Sequence, residues 1–378
     1  MILFLLTFFL LYGGLHLYFF VTLRAAFVLA APARALAVGL LLLGLLAPLM
    51  IRAAERFGLE TLAAVLSWGG YLWMAVLLLF CTAALVMDLY RLLVWTVGGI
   101  APTDLQAFYP SARARFLLPL VLALVATGYG SVEACRIRTE RIEIRSAKLP
   151  KEVGRIRIVQ ISDVHVGVLI RGGRLAGILE KVREAAPDLL LGTGDLVDGQ
   201  LDSMAEAAAQ FRKIRPRYGK YAVTGNHEFY AGIDEAIAFV KAAGFTPLRG
   251  EVATIAGAVD LAGVDDPALR NFAPDRWVTD RAVLARARAD HFTILLKHQP
   301  RIEEGAPGAF DLQLSGHTHQ GQIFPFGLLT RLAFPYHSGN YPLAKDALLH
   351  VSRGTGTWGP PVRFLAPPEI TIIDLVAP

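Results

Sequence analysis

The sequence contains little cysteine and little charge. Its 378 residues include two cysteines, Cys81 and Cys135, and 18% of the residues are charged. Neither cysteine has the spacing of a metal-binding pair, and no disulfide framework is expected from two isolated thiols. The formal net charge of +5 is mild. In so apolar a chain we interpret it as surface basicity toward anionic lipid headgroups, and we expect no nucleic-acid partner.

Apolar residues are abundant and unevenly distributed. They make up 54% of the chain and dominate it as far as about residue 134. A helix needs about 20 mostly apolar residues to cross the hydrocarbon of a bilayer. Four segments qualify: 2–23, 36–51, 65–87 and 116–134. The first lacks a basic start and a small-residue cleavage site, so we expect a retained anchor. We predict a transmembrane domain of about four helices over 1–140 and a globular domain over 141–378.

Arginines near the four segments predict the orientation of the chain. Four spans place the N-terminus and the globular domain on the same side. The loops on the opposite side carry five arginines: Arg24, Arg34, Arg91, Arg113 and Arg115. The side of the globular domain carries Arg52 and Arg56, and also arginines at 136, 138 and 141 that oppose the trend. The balance predicts a multi-pass protein of the cytoplasmic membrane with an extracytoplasmic globular domain.

Two polar features lie within the predicted spans. His16 is either a residue that lines a pocket or a packed side chain with hydrogen bonds. Asp88 and Arg91 are three positions apart on a helix, which predicts a local ion pair.

Beyond residue 141, short apolar runs alternate with helical patterns. Five runs are typical of strands buried on both faces: RIRIVQIS (155–162), PDLLLGTG (187–194), KYAVTGN (220–226), HFTILLK (291–297) and FDLQLSG (310–316). Helices are expected over 171–188 and near 202–214 and 232–243. Later strands are expected at TIAGAVDLAGV (254–264), LLHVS (348–352) and EITIIDL (369–375). This order predicts an α/β domain in which mixed sheets pack face to face and helices flank them.

Polar residues follow the ends of the first five strands, at the sheet edge where α/β proteins bind ligands. They are Asp163, His165, Asp195, Asp198, Asn226, His227, Glu228, His298, His317 and His319. Carboxylate, imidazole and amide oxygen suit first-row metals such as Mn, Fe, Zn or Co. These are more ligands than one tetrahedral ion needs, so we predict two divalent metal ions, which a carboxylate such as Asp195 can bridge. Such a pair clamps a phosphate and activates a water.

These residues form five motifs in a fixed order: Asp163-x-His165, Gly194-Asp195-x-x-Asp198, Gly225-Asn226-His227-Glu228, His298, and Gly316-His317-x-His319. The set resembles the calcineurin-like metallophosphoesterases over about residues 155–378. The stretch SRGTGTWGPPVRF (352–364) also resembles a membrane-anchored bacterial branch of that family. The resemblance implies a metal-dependent phosphoric ester hydrolase with a mixed β-sheet sandwich.

The resemblance also implies a role for each residue. Asp163, His165 and His319 hold one metal, and Asn226, His298 and His317 hold the other, with Asp195 as the bridge. His227 is the catalytic residue that faces the substrate, and Asp198 orients it. Glu228 either supports its turn or is solvated.

Substrate contacts are less defined by the sequence. Arg353 either contacts a phosphate or braces its loop, and His337 either reaches the substrate or is an ordinary loop residue. A site beside a bilayer predicts a lipid-linked substrate: a phospholipid, a polyprenyl phosphate or a lipid A precursor. The apolar segment 323–336 either guides acyl chains or packs against protein. The alternative is a phosphodiesterase for soluble nucleotides or cell-wall polymers with the spans only an anchor. A transporter is disfavoured because the spans lack repeated charges and broken helices.

Overall fold

The computed structural model describes residues 2–100, 105–199 and 204–378. The chain divides into two compact units. Unit 1 runs to Val132 and includes Gly359–Phe364, and unit 2 comprises Glu133–Trp358 and Leu365–Pro378. The expected boundary after residue 140, between two domains that fold independently, stays a prediction.

The described residues of unit 1 form four long helices. They are α1 (Ile2–Ala26), α2 (Ala31–Arg56), α3 (Glu60–Ile100) and α4 (Ala112–Glu133). Each is long and apolar enough to cross a membrane. The second and third extend well beyond the predicted spans 36–51 and 65–87. The 41 residues of α3 correspond to about 60 Å of helix, roughly twice the thickness of the hydrocarbon.

His16 and the Asp88–Arg91 pair have hydrogen-bond partners in unit 1. The His16 imidazole is buried. Its Nδ1 lies 2.8 Å from the carbonyl oxygen of Tyr12, and its Nε2 accepts a hydrogen bond from the Trp73 indole at 3.0 Å. The packed interpretation of His16 therefore holds. The predicted pair of Arg91 and Asp88 is confirmed at 3.3 Å, and the Tyr18 hydroxyl also donates to Asp88 at 2.7 Å. His16 and Asp88 thus have the partners that an apolar environment requires.

Unit 2 contains two six-stranded sheets. The first sheet has the strands β1 (Arg138–Arg145), β2 (Arg155–Ile161), β3 (Leu189–Thr193), β4 (Lys220–Val223), β5 (Thr246–Pro247) and, at the end of the chain, β12 (Glu369–Val376). The second has β6 (Glu251–Ile255), β7 (Val259–Gly263), β8 (Phe292–Leu296), β9 (Leu312–Ser315), β10 (Gly339–Pro342) and β11 (Leu348–Val351). The strand orders are β1-β12-β2-β3-β4-β5 and β10-β11-β9-β8-β7-β6.

Both sheets are mixed, as the sequence predicts. The run β2-β3-β4-β5 is parallel, and β12 pairs antiparallel with β2. In the second sheet β7, β8, β9 and β11 are parallel, with β6 and β10 antiparallel at the edges. The carboxyl ends of the parallel strands within each sheet therefore lie at one edge.

Helices flank the sheets. They are α5 (Gly172–Glu184), α6 (Ala205–Arg212), α7 (Asn226–Ala231), α8 (Ile233–Ala242), α9 (Asp280–Leu284) and α10 (Phe326–Ala333). Predicted helices are confirmed at α5, α6 and α8. Residues 202–203 of the expected helix near 202–214 lie outside the described residues.

Alternating side chains of the strands fill two cores. Ile156 and Ile158 of β2 enter the core between the sheets with Leu296 and Leu314. Val159 and Ile161 face the opposite way and pack with the α5 side chains Leu175, Ile178, Leu179 and Val182. This alternation follows from the two-residue period of a strand. It fixes the register that brings the strand ends to the site.

The structure differs from the sequence-based expectation in the run 254–264 and in the strands β1, β5 and β10, which the sequence does not predict. The run 254–264 is a hairpin, not one strand, because Ala256 and Gly257 adopt positive φ and the chain reverses between Ile255 and Val259. β1 was not expected as a strand. It pairs in parallel with β12, from Arg138 with Glu369 onward, a partner at the far end of the chain.

Candidate metal centre and active site

The loops that follow five parallel strands supply the candidate site. Asp163 and His165 follow β2, Asp195 and Asp198 follow β3, and Asn226 and His227 open α7 after β4. The second sheet supplies His298 after β8, and His317 and His319 after β9. The Gln160 amide of β2 donates to the carbonyl oxygen of Ser315 in β9 at 3.1 Å and ties the two sheets together beneath these loops.

Five of the predicted ligands have left-handed backbone conformations. The φ angles are 52° at Asp163, 53° at His165, 50° at Asp195, 72° at His317 and 48° at His319. Such angles are uncommon outside glycine and cost free energy. Their concentration at one edge indicates that the fold holds these side chains in position for a function.

The first cluster contains Asp163, His165 and His319. Nε2 of His319 lies 3.2 Å from Oδ1 of Asp163 and 3.1 Å from Nε2 of His165. Their candidate ligand atoms all lie within 4.8 Å of one another. The sequence-based assignment placed these three residues on one metal.

The second cluster contains Asp195, His298 and His317. Nε2 of His298 lies 3.1 Å from Oδ2 of Asp195 and 3.1 Å from Nδ1 of His317. His298 Nδ1 lies 2.8 Å from the carbonyl oxygen of Thr193, which fixes the ring and directs Nε2 into the cluster. Asp195 Oδ2 is also 3.9 Å from His165 of the first cluster. Asp195 therefore lies between the two clusters.

One buried polar atom indicates that the donor set fits metal ions. Oδ1 of Asn226 is buried and has no hydrogen-bond partner among the described residues. An unpaired buried polar atom is costly unless an ion or a water satisfies it. Close imidazoles and carboxylates with an unpaired amide oxygen are ligands that first-row divalent metals accept.

His227 is positioned by two aspartates. Its Nδ1 lies 2.9 Å from Oδ1 of Asp198, and its backbone N–H donates to Oδ1 of Asp195 at 2.8 Å. His165, Asp195 and His227 also form a third group of possible metal ligands. The contact with Asp198 leaves Nε2 of His227 as the ring nitrogen that can meet a substrate.

Glu228 supports the turns and is not solvated. Its carboxylate is buried. It accepts hydrogen bonds from the backbone N–H groups of Asp195 at 3.0 Å, Leu196 at 2.7 Å and Gly225 at 2.7 Å. One side chain thus joins the loop after β3 to the loop after β4, and it holds Asp195 between the clusters.

The motif glycines are required by close approach of neighbouring side chains. A Cβ at Gly225 would lie 2.1 Å from Oδ1 of Asp195, and one at Gly316 would lie 1.9 Å from Oγ of Ser162. Any side chain there would displace the aspartates. These glycines therefore make room for the side chains of Asp195 and Asp163.

The side chains of the site shift one another's pKa values. Burial lowers the pKa of His165 and of His317 to about 3, so both imidazoles are neutral and suited to bind a metal. For Asp195, burial raises the pKa, but the neighbouring His298 and His227 outweigh it and hold the pKa well below its usual range. For His227, burial opposes the charged form, but Asp195 and Asp198 raise the pKa to about 9.

An aromatic rim surrounds these polar residues and was not predicted from the sequence. The ring of His227 contacts Tyr230 at 5.7 Å and Trp358 at 5.5 Å between centroids, and the ring of His317 contacts Phe334 at 4.8 Å. Tyr230 is 63% exposed and Trp358 is 48% exposed. Tyr230 lies two positions after the GNHE motif, and this proximity in sequence is the signal that could have predicted its place beside His227.

The two predicted substrate contacts have protein partners. Arg353 pairs with Glu369 at 2.6 Å and donates to the carbonyl oxygen of Pro367 at 3.1 Å. His337 lies 2.6 Å from the Thr330 hydroxyl and is buried. These contacts support bracing roles, and contact of either side chain with substrate stays a prediction.

Comparison with known proteins agrees with the geometry. The profile of the family described as calcineurin-like phosphoesterase matches residues 156–321. An uncharacterized metallophosphoesterase of Aquifex aeolicus (strain VF5) is 37% identical over 257 residues, which cover 68% of this chain and 98% of that protein. One from Helicobacter pylori (strain J99) is 36% identical over 71% of this chain and 74% of its own length.

A further relative is described as a transmembrane protein with metallophosphoesterase domain. It comes from Danio rerio and is 30% identical over 322 residues, which cover 80% of this chain and 74% of that protein. Together with the clustered histidines and aspartates, these similarities show that the chain belongs to the calcineurin-like metallophosphoesterases and is a metal-dependent phosphoesterase.

Proposed function

We propose that this protein is a membrane-anchored phosphoesterase that uses two divalent metal ions to hydrolyse a phosphate ester or pyrophosphate bond of a lipid-linked substrate. The observation that carries the proposal is the combination, in one chain, of two adjoining ligand clusters with four helices long and apolar enough to cross a membrane. A membrane-anchored site can act on a lipid phosphate at the bilayer surface while the lipid stays in the membrane.

Two ion positions follow from the two clusters. Asp163, His165 and His319 would hold one ion, and Asn226, His298 and His317 the other. Asp195 would bridge them, because its carboxylate lies between the clusters. Mn, Fe, Zn and Co all suit this donor set. When bound, such a pair of ions lowers the pKa of a water and neutralises the charge of a phosphate.

His227 would act on the substrate itself. Asp198 holds Nδ1 and leaves Nε2 as the atom that stabilises a phosphoryl oxygen or gives a proton to the departing oxygen. Tyr230 and Trp358 beside the ring would restrict water around this atom and position the substrate.

The predicted orientation completes the proposal. The arginine balance of the short loops supports a multi-pass protein of the cytoplasmic membrane with its catalytic unit on the extracytoplasmic side. The lipid would then be a phospholipid, a polyprenyl phosphate or a lipid A precursor in the outer leaflet.

Hydrolysis of two substrate classes in parallel tests the proposal. The purified full-length protein, supplied with Mn, is given extracted native lipids and a soluble chromogenic diester. We expect release of phosphate or a phosphorylated headgroup from one lipid class, at a rate well above that of an Asp195→Asn variant prepared in the same way. Cleavage of the soluble diester with no lipid cleaved would contradict the lipid assignment. It would favour soluble nucleotides or cell-wall polymers as substrates.

A further inference from the structure

Helix α10 has Gly327 and Thr330 toward the protein and its apolar side outward, and Arg331 is exposed. At 100° per residue, Phe326, Leu328, Leu329 and Leu332 occupy an arc of about 160°, and Gly327, Thr330 and Arg331 occupy the opposite side. The apolar arc is exposed: 46% at Phe326, 55% at Leu328, 59% at Leu329 and 83% at Leu332. In α5 of the same unit the apolar stripe is buried in the usual way.

The side of α10 opposite the apolar arc makes specific polar contacts, although the Arg331 side chain is itself exposed. The Thr330 hydroxyl lies 2.6 Å from Nε2 of His337, and Nε of Arg331 donates to Nδ1 of the same ring at 3.4 Å. The carbonyl oxygen of His337 in turn accepts from the Thr318 hydroxyl at 2.5 Å. These contacts fix the rotation of α10, so the outward apolar arc is part of the fold.

α10 is also fixed close to the metal clusters. A Cβ at Gly321, two residues after His319, would lie 2.2 Å from Cα of Gly327, so the first turn of α10 rests on the metal-binding turn. At the other end of α10, the Phe334 ring contacts the ring of His317. Whatever covers the apolar arc therefore lies beside the site.

The charge around the arc fits an acidic surface. Segment 323–336 contains one basic residue, Arg331, and no acidic residue. Arg301, which is exposed, stacks over the Phe334 ring at 4.9 Å. An apolar face with basic residues at its margin is the pattern of a helix that lies in a membrane interface, with its apolar side chains among the acyl chains and its cations near phosphates.

We propose that α10, together with Phe324, inserts into the interface of a lipid bilayer and holds the metal centre at the membrane surface. The occupant of the apolar arc is the lipid itself. This inference rests on the proposed membrane anchoring of the chain, which supplies the bilayer. In addition to the transmembrane helices of unit 1, unit 2 would then have its own membrane contact, which reaches only the interface of the bilayer.

Fluorescence quenching by labelled lipid tests this contact. Leu332→Cys is made in the full-length chain with Cys81→Ala and Cys135→Ser, labelled with an environment-sensitive dye, and placed in nanodiscs of phosphatidylcholine and phosphatidylglycerol. A second set of nanodiscs carries a nitroxide on the acyl chains. We expect the nitroxide to remove most of the fluorescence at position 332. Arg288→Cys, whose parent side chain is 62% exposed, is the matched control and should keep its signal.

A label at 332 that keeps its fluorescence as fully as the label at 288 would overturn the proposal. A label protected from aqueous iodide but unaffected by the lipid nitroxide would also overturn it, because a protein partner would then cover the arc. Leu329→Cys provides a second position with the same expectation. Quenching reports lipid contact whether or not lipid is hydrolysed, so failure of this inference is distinct from failure of the proposed substrate class.

Discussion

At the scale of the residue, His227 is the side chain whose role differs most from that of its neighbours. Its ring is held at Nδ1 by Asp198 and contacts the exposed aromatic side chains of Tyr230 and Trp358, which none of the predicted metal ligands is shown to do. His227→Ala should reduce kcat by about 10²- to 10⁴-fold, the usual contribution of a positioned acid or base. Metal content, measured by mass spectrometry on the same sample, should stay at the wild-type level. Loss of metal from the variant would show that His227 is a ligand.

Glu228 gives a second prediction at the residue scale. Its carboxylate accepts backbone hydrogen bonds from Asp195, Leu196 and Gly225. A glutamine has an NH₂ group in place of one carboxylate oxygen, so some of these backbone N–H groups would face another donor. Glu228→Gln should therefore lower stability by about 1–3 kcal/mol and reduce metal content. The thermal midpoint and metal content of the variant are compared with those of Glu184→Gln, a change at an exposed carboxylate. Equal values for the two variants would mean that Glu228 does not hold the two loops together.

At the scale of the element, β12 joins distant parts of the chain. The Asp374 carboxylate on this strand accepts two hydrogen bonds from the Arg157 guanidinium of β2, at 2.8 and 3.2 Å. The Arg157 hydrogen bonds hold the pKa of Asp374 below its usual range. Because the folded pKa is depressed, the pair stabilises the fold above the unfolded pKa of about 3.9 and loses this contribution as pH falls through the folded value.

Asp374→Asn should thus lower the thermal midpoint at pH 7 by the equivalent of about 1 kcal/mol, since the pair is partly exposed and water screens it. The difference from wild type should shrink as pH falls from about 5 toward 3. Both proteins are measured in detergent with a chelator, so that metal loss in acid does not enter the comparison. Glu251→Gln, at an exposed edge position, is the control. A difference that grows in acid would contradict the assigned sign.

The elements also show which parts of the fold the sequence can predict. The buried parallel strands are short apolar runs, and the helices α5, α6 and α8 have a helical apolar period. The ligands follow the strand ends directly in sequence, so the strands, these helices and the ligands could all be inferred. β1 could not, because its pairing partner β12 lies at the opposite end of the chain. The turn at Ala256–Gly257 was missed because the flanking residues form one apolar run. The exposure of the apolar face of α10 could not be inferred, because the sequence pattern separates an apolar from a polar face but does not say which face packs against the protein.

At the scale of the whole molecule, the predicted metal ligands and His227 all belong to unit 2. A truncated chain that begins at Glu133 retains β1 and therefore the complete first sheet. It should bind metal and hydrolyse a soluble chromogenic diester with a kcat/KM within a few-fold of the full-length value. Circular dichroism and metal content establish whether it folds. A folded and metal-loaded but inactive fragment would mean that unit 1 contributes to the chemistry.

The central claim is that two ions share Asp195, and metal stoichiometry tests it most directly. Wild-type protein loaded with Mn and freed of excess metal should contain two ions per chain. Asp195→Asn should lower the occupancy of both positions together and abolish hydrolysis of the soluble diester, because its carboxylate lies between the clusters. A wild-type protein fully active with one ion, or an Asp195→Asn variant that keeps two, would contradict the account.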